Sequence, residues 1–148
     1  MLTLEFGPPH LEIREPITAN ASASADVRAH LARRHVVPVG EWHLWVYCCH
    51  WRLLVRGDRV ADCEDADDTL IEAAREIDGQ KLVGVVVNQP RGTSCFQFDL
   101  GACLETWPYE DGSDDEEQWM LYTPQGQVLS FLADGRQVWE GASRRMTE

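Results

Sequence analysis

The sequence predicts a single-domain α+β protein with a mostly antiparallel sheet, a C-terminal β-meander and about two helices. The chain has 148 residues, of which 44% are hydrophobic, and this is enough for one packed core. Short runs that alternate apolar and polar residues, as strands do, outnumber runs with helical spacing. In the second half these runs follow one another through short turns, which favours a meander over parallel βαβ units.

The N-terminal part, residues 1–40, is predicted to contain two short strands and one helix. Apolar and polar residues alternate over Leu2–Phe6, before a Gly-Pro-Pro turn, and again over residues 11–14, before a proline. A small polar loop then precedes a helix that Ser24 or Asp26 could cap. We expect this helix to run to about residue 34, with two arginines near its end that suit the helix dipole.

The main part, residues 41–140, is predicted to hold the principal sheet and a second helix. Trp42–Val55 is apolar on both faces of its alternation, which predicts one long central strand covered on both sides. Acids precede apolar residues spaced three and four apart over Asp67–Ile77, which predicts an amphipathic helix. Leu82–Val87 is continuously apolar and predicts a buried strand. The meander strands are predicted at 96–100, 104–107, 119–123, 128–132 and 137–140, and a flexible tail at 141–148.

The formal net charge of −12 is distributed unevenly along the chain. Residues 1–40 contain four arginines and four acids, so the whole excess lies in residues 41–148. Such an acidic surface repels phosphate backbones and anionic membranes, and it attracts a basic partner. We therefore expect neither a nucleic-acid partner nor a membrane partner.

Targeting and transmembrane patterns are missing from the sequence. No stretch approaches the roughly 20 apolar residues that a transmembrane helix needs. The N-terminus lacks the basic start and apolar core of a signal peptide. The sequence thus predicts a cytoplasmic protein, whose cysteines we expect to be reduced.

A run of cysteine and histidine residues on the predicted central strand is one candidate site. Cys48, Cys49, His50 and His43 could supply the polar groups of a small-molecule-binding or catalytic pocket. Neighbouring residues of a strand point to opposite faces, so these four do not provide three converging metal ligands. No phosphate-binding loop or hydrolase motif occurs. We expect no metal, no cofactor and no catalytic residue.

An acidic loop with aromatic residues beside it is the other candidate site. Residues 108–117 contain six acids and no base, and we call them the acidic loop. Aromatic rings next to carboxylates can recognise an arginine-bearing partner. Alternatively, both flanking tryptophans pack on the sheet and the loop only connects two strands. The candidate partner-binding residues are Trp107, Tyr109, Glu110, Asp111, Asp114, Asp115, Glu116, Glu117 and Trp119.

Residues 98–139 carry a resemblance to a group of known proteins. The segments concerned are Phe98-Asp99-Leu100-Gly101, Leu104-x-Thr106-Trp107-Pro108-Tyr109, Glu117-Gln118-Trp119-x-Leu121-Tyr122 and Asp134-Gly135. This succession resembles the C-terminal β-meander of small uncharacterised bacterial proteins, some of which belong among immunity-like families of toxin systems. The resemblance covers under a third of the chain and implies binding; it transfers no functional residue.

Three hypotheses about function follow. The first is a non-enzymatic interaction protein that neutralises a basic protein partner, such as a toxin, through the acidic loop. The second is the small-molecule or catalytic pocket on the strand that bears histidine and cysteine. The third is a homo-oligomeric structural protein that pairs through an exposed strand edge such as Gln137–Glu140.

Overall fold

Two five-stranded antiparallel sheets form most of the protein over residues 1–141, the part that the computed structural model describes. The predicted α+β class with a mostly antiparallel sheet is confirmed. In chain order the elements are β1 (Leu2–Phe6), β2 (His10–Arg14), α1 (Ala25–Leu31), β3 (His35–Val39), β4 (Trp42–Val46), β5 (His50–Val55), β6 (Asp58–Asp62), α2 (Asp67–Ile77), β7 (Leu82–Asn88), β8 (Thr93–Phe98), β9 (Ala102–Trp107), β10 (Glu117–Tyr122), β11 (Val128–Leu132) and β12 (Gln137–Glu140).

The two sheets share one hydrophobic core. The first sheet has the order β1-β4-β10-β11-β12, and the second has the order β6-β5-β9-β8-β7. Leu44 and Phe131 of the first sheet and Phe96 and Leu104 of the second are all at most 2% exposed. Helix α2 contacts β6 and buries Ala73 and Ile77, as its predicted amphipathic spacing requires.

The predicted single strand over Trp42–Val55 is wrong. β4 ends at Val46 in the first sheet, and β5 begins at His50 in the second, so the chain crosses between the sheets over residues 47–49. The crossover changes which positions face the core: Val46 is buried before it and Trp51 after it. Two half-buried strands of opposite phase therefore produced the two-sided apolar pattern that predicted one strand covered on both faces.

The prediction of a buried strand over Leu82–Val87 is also wrong. β7 is the last strand of the second sheet and pairs only with β8. Val83 is 63% exposed and Val86 is 58% exposed. A continuous apolar run indicates a strand, but its place in the sheet depends on which distant segments pair with it. By contrast, β12 lies at the edge of the first sheet, where the sequence predicted an exposed edge.

Residues 10–39 form what we call the arm, which contains β2, α1 and β3. β3 was not predicted, and it pairs with β2 in a two-stranded sheet of its own. Helix α1 begins after the predicted cap Ser24, whose hydroxyl accepts a hydrogen bond from the Val27 N–H at 3.3 Å. It ends at Leu31, short of the predicted end.

Apart from Gly141, the tail predicted over 141–148 lies outside the described residues. Neither α1 nor α2 has the length and hydropathy needed to cross a membrane, and the same holds for every helix in the described range.

Gly135 should be far less tolerant of substitution than Gly57. Both have φ near +90°, which costs an alanine about 1–2 kcal/mol. A Cβ at Gly135 would lie 1.7 Å from the carbonyl oxygen of Gln89, whereas a Cβ at Gly57 meets nothing within 4 Å. We expect Gly135→Ala to lower the free energy of unfolding by about 3 kcal/mol or more and Gly57→Ala by about 1 kcal/mol, measured by urea denaturation. Equal losses would contradict the close approach at Gly135.

Candidate functional site

The acidic loop connects β9 to β10 and is held against the turn between β11 and β12. The N–H of Ala133 donates to the carbonyl oxygen of Glu116 at 2.8 Å. The guanidinium of Arg136 forms an ion pair with Asp115, although both side chains are more than half exposed and such pairs contribute little stability. The loop therefore has a defined position. Its exposed carboxylates are those of Glu110, Asp111, Asp114 and Asp115.

Glu117 differs from the other acids of the loop because its carboxylate joins structural elements. It accepts hydrogen bonds from the Tyr47 hydroxyl at 2.7 Å and from the Ser130 hydroxyl at 3.0 Å. Burial of the phenol and its bond to the Glu117 carboxylate hold the pKa of Tyr47 well above its ordinary value. Glu117 thus fixes the crossover to the first sheet and is a weaker candidate for contact with a partner.

Trp119 is not part of the candidate surface. Its side chain is 2% exposed and lies in the core between the sheets. It stacks on Phe131 with ring centres 5.1 Å apart and meets Phe96 edge-on at 5.3 Å. Its indole N–H donates to the Ser94 hydroxyl at 2.9 Å. The alternative weighed from the sequence, that this tryptophan packs on the sheet, is correct for Trp119.

Trp107 and Tyr109 instead join His50 in what we call the aromatic cluster. His50 begins β5 and is paired with Trp107, the last residue of β9, so both project from the outer face of the second sheet. The two rings stack with centres 5.6 Å apart, and Tyr109 meets the imidazole edge-on at 4.7 Å. The guanidinium of Arg52 lies 5.5 Å from the centre of the Trp107 ring and pairs with Glu105.

A second acidic segment lies on the other side of the aromatic cluster. Residues 62–68 contain five acids and no base, and we call them the α2 acidic segment. Cys63 lies in this segment, and its Sγ is 3.7 Å from Nδ1 of His50. β6 and β9 flank β5, so the segment that follows β6 and the loop that follows β9 approach His50 from opposite sides. The aromatic cluster is therefore flanked by two acidic stretches.

Two carboxylates of the α2 acidic segment are already paired with an arginine of the same protein. Arg59 donates to the carboxylates of Asp62 and Asp65. The hydrogen bonds that Asp62 accepts from the Arg59 guanidinium and from the Glu64 N–H hold the pKa of Asp62 below its ordinary value. Other carboxylates of this segment are exposed on the surface; they belong to Glu64, Asp67 and Asp68.

The alternative pocket predicted from His43, Cys48, Cys49 and His50 is not assembled. His43 lies on β4 of the first sheet, where it pairs with the Glu5 carboxylate. His50 lies on the second sheet, beyond the crossover. The sequence reasoning placed all four residues on one strand, and the crossover separates them.

The cysteines of the crossover differ sharply in exposure. Cys49 is 1% exposed and its S–H donates to the carbonyl oxygen of Gln118 at 3.4 Å. Burial raises the pKa of Cys49 to about 12, so this thiol is not ionised near neutral pH. Cys48 is half-buried, and burial, together with the nearby carboxylates of Glu116 and Glu117, raises its pKa as well.

Sequence reasoning missed Cys63, which is the cysteine that contacts His50. The N–H of Cys63 donates to the carbonyl of Trp51 at 3.0 Å, next to β5. Gly57, which lies with Arg56 in the two-residue turn between β5 and β6, could have revealed this contact had residues 50–62 been recognised as a hairpin. Within residues 1–141, no group of three histidine, cysteine or acidic side chains is arranged to hold a metal ion.

The outer face of the second sheet carries a disulfide and a shallow concavity. Cys95 of β8 and Cys103 of β9 are disulfide-bonded, with Cα atoms 6.4 Å apart, where the sequence predicted reduced thiols. The strand register places them diagonally on one face, which their spacing in the sequence does not reveal. The concavity has a volume of about 370 Å³. Its lining includes Arg52, Asn88, Thr93, Glu105 and Trp107.

Comparison with known proteins identifies no relative of this chain. The chain matches no protein-family model, no curated protein and no solved structure.

The cysteines should separate into three classes when the protein is alkylated. In the native protein at pH 8 we expect Cys49 to stay unmodified by iodoacetamide, because it is buried and its pKa is about 12. After unfolding without a reductant, three cysteines should be labelled, namely Cys48, Cys49 and Cys63. With a reductant, all five should be labelled. Peptide mass spectrometry measures each site.

Two results would contradict this assignment. Labelling of five cysteines without a reductant would show that Cys95 and Cys103 are not bonded. Labelling of Cys49 in the native protein as fast as in the unfolded chain would show that it is accessible.

Proposed function

We propose that the protein binds a basic protein partner through an acidic–aromatic surface, which consists of the aromatic cluster, the acidic loop and the α2 acidic segment. The observation that carries the proposal is the aromatic cluster, in which His50 stacks on Trp107 and meets Tyr109 edge-on, between two acidic stretches. In the most specific version of this proposal the partner is a toxin, and the acidic surface would cover the basic nucleic-acid groove of a nuclease. The resemblance of residues 98–139 to small uncharacterised bacterial proteins, some of which belong among immunity-like families, favours this version.

The chemistry of the surface suits arginine in particular. A guanidinium is planar, stacks on aromatic faces and forms paired hydrogen bonds with a carboxylate. Arg52 already lies over the Trp107 ring while pairing with Glu105, so the protein contains one internal example of this arrangement. Tyr109 is 37% exposed and offers a further ring at the start of the acidic loop.

The exposure of the acidic side chains favours binding over catalysis. Glu110, Asp111 and Asp114 are exposed to solvent. Acid–base catalysis by a carboxyl depends on burial that raises its pKa into the working range. Exposed carboxylates instead guide an oppositely charged protein toward the surface and accelerate its association.

Small-molecule binding is the second candidate function. It rests on the concavity beside Trp107, which Arg52 of the histidine-bearing strand lines together with Asn88 and Thr93. Glu105 also lines the concavity and pairs with Arg52, so a planar polar molecule that stacks on the indole would match this combination of groups. The predicted catalytic use of the cysteines has less support, because Cys49 is buried.

Neutralising the acidic loop should slow the association of a basic probe. An arginine-rich peptide, followed by stopped-flow fluorescence anisotropy, is the probe. We expect the double variant Asp111→Asn with Asp114→Asn to lower the association rate constant about threefold at low salt and to weaken its salt dependence. No hydrogen bond of either carboxylate holds the described structure together, so the variant should fold.

The matched control removes the same charge elsewhere. Glu76→Gln with Asp78→Asn changes exposed acids at the far end of α2, about 15 Å from its acidic start. This control should leave the rate nearly unchanged. Equal slowing by the two double variants would mean that the net charge acts without a defined site.

Truncating Tyr109 should affect dissociation rather than association. Tyr109→Ala removes the exposed ring and should raise the dissociation rate constant of the arginine-rich peptide about tenfold, while Tyr109→Phe should change it little. A lysine-rich peptide of equal length should bind more weakly than the arginine-rich one, because a compact ammonium makes no planar stack. Equal binding of both peptides by the wild-type protein and by Tyr109→Ala would contradict a role for the ring.

A further inference from the structure

A disulfide joins β8 and β9 on the outer face of the second sheet. Its two members, Cys95 and Cys103, are eight residues apart in the chain. The two strands are already paired along their length, with Ser94 opposite Thr106 and Gln97 opposite Cys103. A cross-link stabilises a fold least when it closes a short loop between segments that other contacts already hold. This disulfide is therefore not needed to bring β8 and β9 together.

One sulfur of the disulfide borders the concavity beside Trp107. Cys95 is among the residues that line the concavity, and Cys103 is not. Thr93, another lining residue, precedes Cys95 on the same face of β8, whereas Gln97, the residue opposite Cys103, follows it. The concavity thus extends from Cys95 away from Cys103. A thiolate displaces one sulfur of a disulfide from the side opposite to the other sulfur, and the concavity lies on that side.

Two opposite charges lie beside the same sulfur. Strand pairing places Glu105 opposite Cys95 and Arg52 opposite Glu105, so the three side chains form one row across the outer face. Side chains directly opposite in antiparallel strands have Cβ atoms about 5 Å apart. The Arg52 guanidinium pairs with the Glu105 carboxylate and lies 5.5 Å from the centre of the Trp107 ring. A carboxylate, a guanidinium and a disulfide sulfur are therefore within reach of one small molecule.

These groups match a thiol that also carries an α-amino acid group. The side chains of Arg52 and Glu105 are 48% and 29% exposed, and an exposed ion pair contributes little, so its members can also bind a ligand. Arg52 can donate to the carboxylate of the ligand while Glu105 accepts from its ammonium group. In free cysteine both groups are attached to the carbon next to the one that bears the sulfur, so all three contacts can form together.

We propose that the Cys95–Cys103 disulfide exchanges with a small thiol that carries an α-amino acid group and is bound by Arg52 and Glu105. The ligand thiolate attacks Sγ of Cys95 to form a mixed disulfide, and Cys103 leaves as a thiolate that takes up the proton lost by the ligand. A second ligand thiolate attacks the bound ligand's sulfur, which releases the ligand as its symmetrical disulfide and leaves Cys95 reduced. Two ligand thiols are thereby oxidised and one protein disulfide is reduced, and the reverse sequence restores it.

The proposed exchange rests on the second candidate function, small-molecule binding in the concavity, and is independent of the basic partner. Reduction of the native protein by three thiols tests it. L-Cysteine has both charged groups, cysteamine lacks the carboxylate, and 3-mercaptopropionate lacks the ammonium group. After an acid quench, peptide mass spectrometry measures the reduced fraction of Cys95 and Cys103. Each rate is compared between the wild type and a variant, so the intrinsic reactivity of the thiol cancels.

Each charged group should affect only the thiols that it contacts. Arg52→Gln should slow L-cysteine and 3-mercaptopropionate about fivefold and leave cysteamine nearly unchanged. Glu105→Gln should slow L-cysteine and cysteamine about fivefold. The second variant separates contact from simple repulsion, because a carboxylate that made no contact would repel the approaching thiolate, and its removal would accelerate L-cysteine.

A matched control uses the exposed ion pair of Arg75 with Glu72 on α2, which does not line the concavity. Arg75→Gln and Glu72→Gln make the same changes of charge and should leave all three rates nearly unchanged. The proposal is overturned if Glu105→Gln does not slow L-cysteine, or if Arg52→Gln affects the three thiols equally. Equal slowing of L-cysteine by the control variants would overturn it as well.

Calorimetric titration with S-methyl-L-cysteine distinguishes this proposal from the second candidate function. The methylated sulfur cannot exchange, but both charged groups remain. We expect the wild type to bind this probe and Arg52→Gln to bind it more weakly. Binding of the probe without the expected pattern of rates would retain the small-molecule site and overturn the exchange. Loss of both the binding and the pattern would overturn both.

Discussion

The packing of Trp119 between the two sheets is the contact on which most of the structure depends. β10 is the central strand of the first sheet, and its indole meets Phe131 in that sheet and Phe96 in the other. Its N–H would be costly to bury without an acceptor, and the Ser94 hydroxyl supplies one. The neighbouring Gln118 strengthens the junction because its amide donates to the carbonyl oxygens of Gly92 and Leu132. These contacts set the spacing and the register of the sheets.

The aromatic cluster is a consequence of that register. Val46 and Trp51 both face the core although one has an even and the other an odd position in the chain. The three residues between β4 and β5 therefore leave the regular alternation of side chains. His50 and Arg52 then point outward, beside Trp107. A slip of one residue would bury the imidazole and expose the indole of Trp51, so core packing and surface chemistry are selected together.

The protein separates two kinds of surface along its chain. Most of the negative charge lies in the part of the chain that forms the two large sheets, where carboxylates lie beside aromatic rings. The arm is nearly neutral and presents aliphatic side chains. Electrostatic attraction acts over distances of about 10 Å and weakens with salt, whereas apolar contact does not.

The sequence by itself determined the elements whose signal is local. Alternation predicted β1, β11 and β12 near their observed bounds, and helical spacing predicted α2, because each pattern reports which side of one short segment is buried. The charge pattern likewise identified the acidic loop. Only the tertiary structure decided what those segments meet. Trp107 and Trp119 look alike in sequence, yet one joins the surface and the other the core. The contact of Cys63 with His50, the crossover and the edge position of β7 likewise depend on pairing between distant segments, which no local pattern encodes.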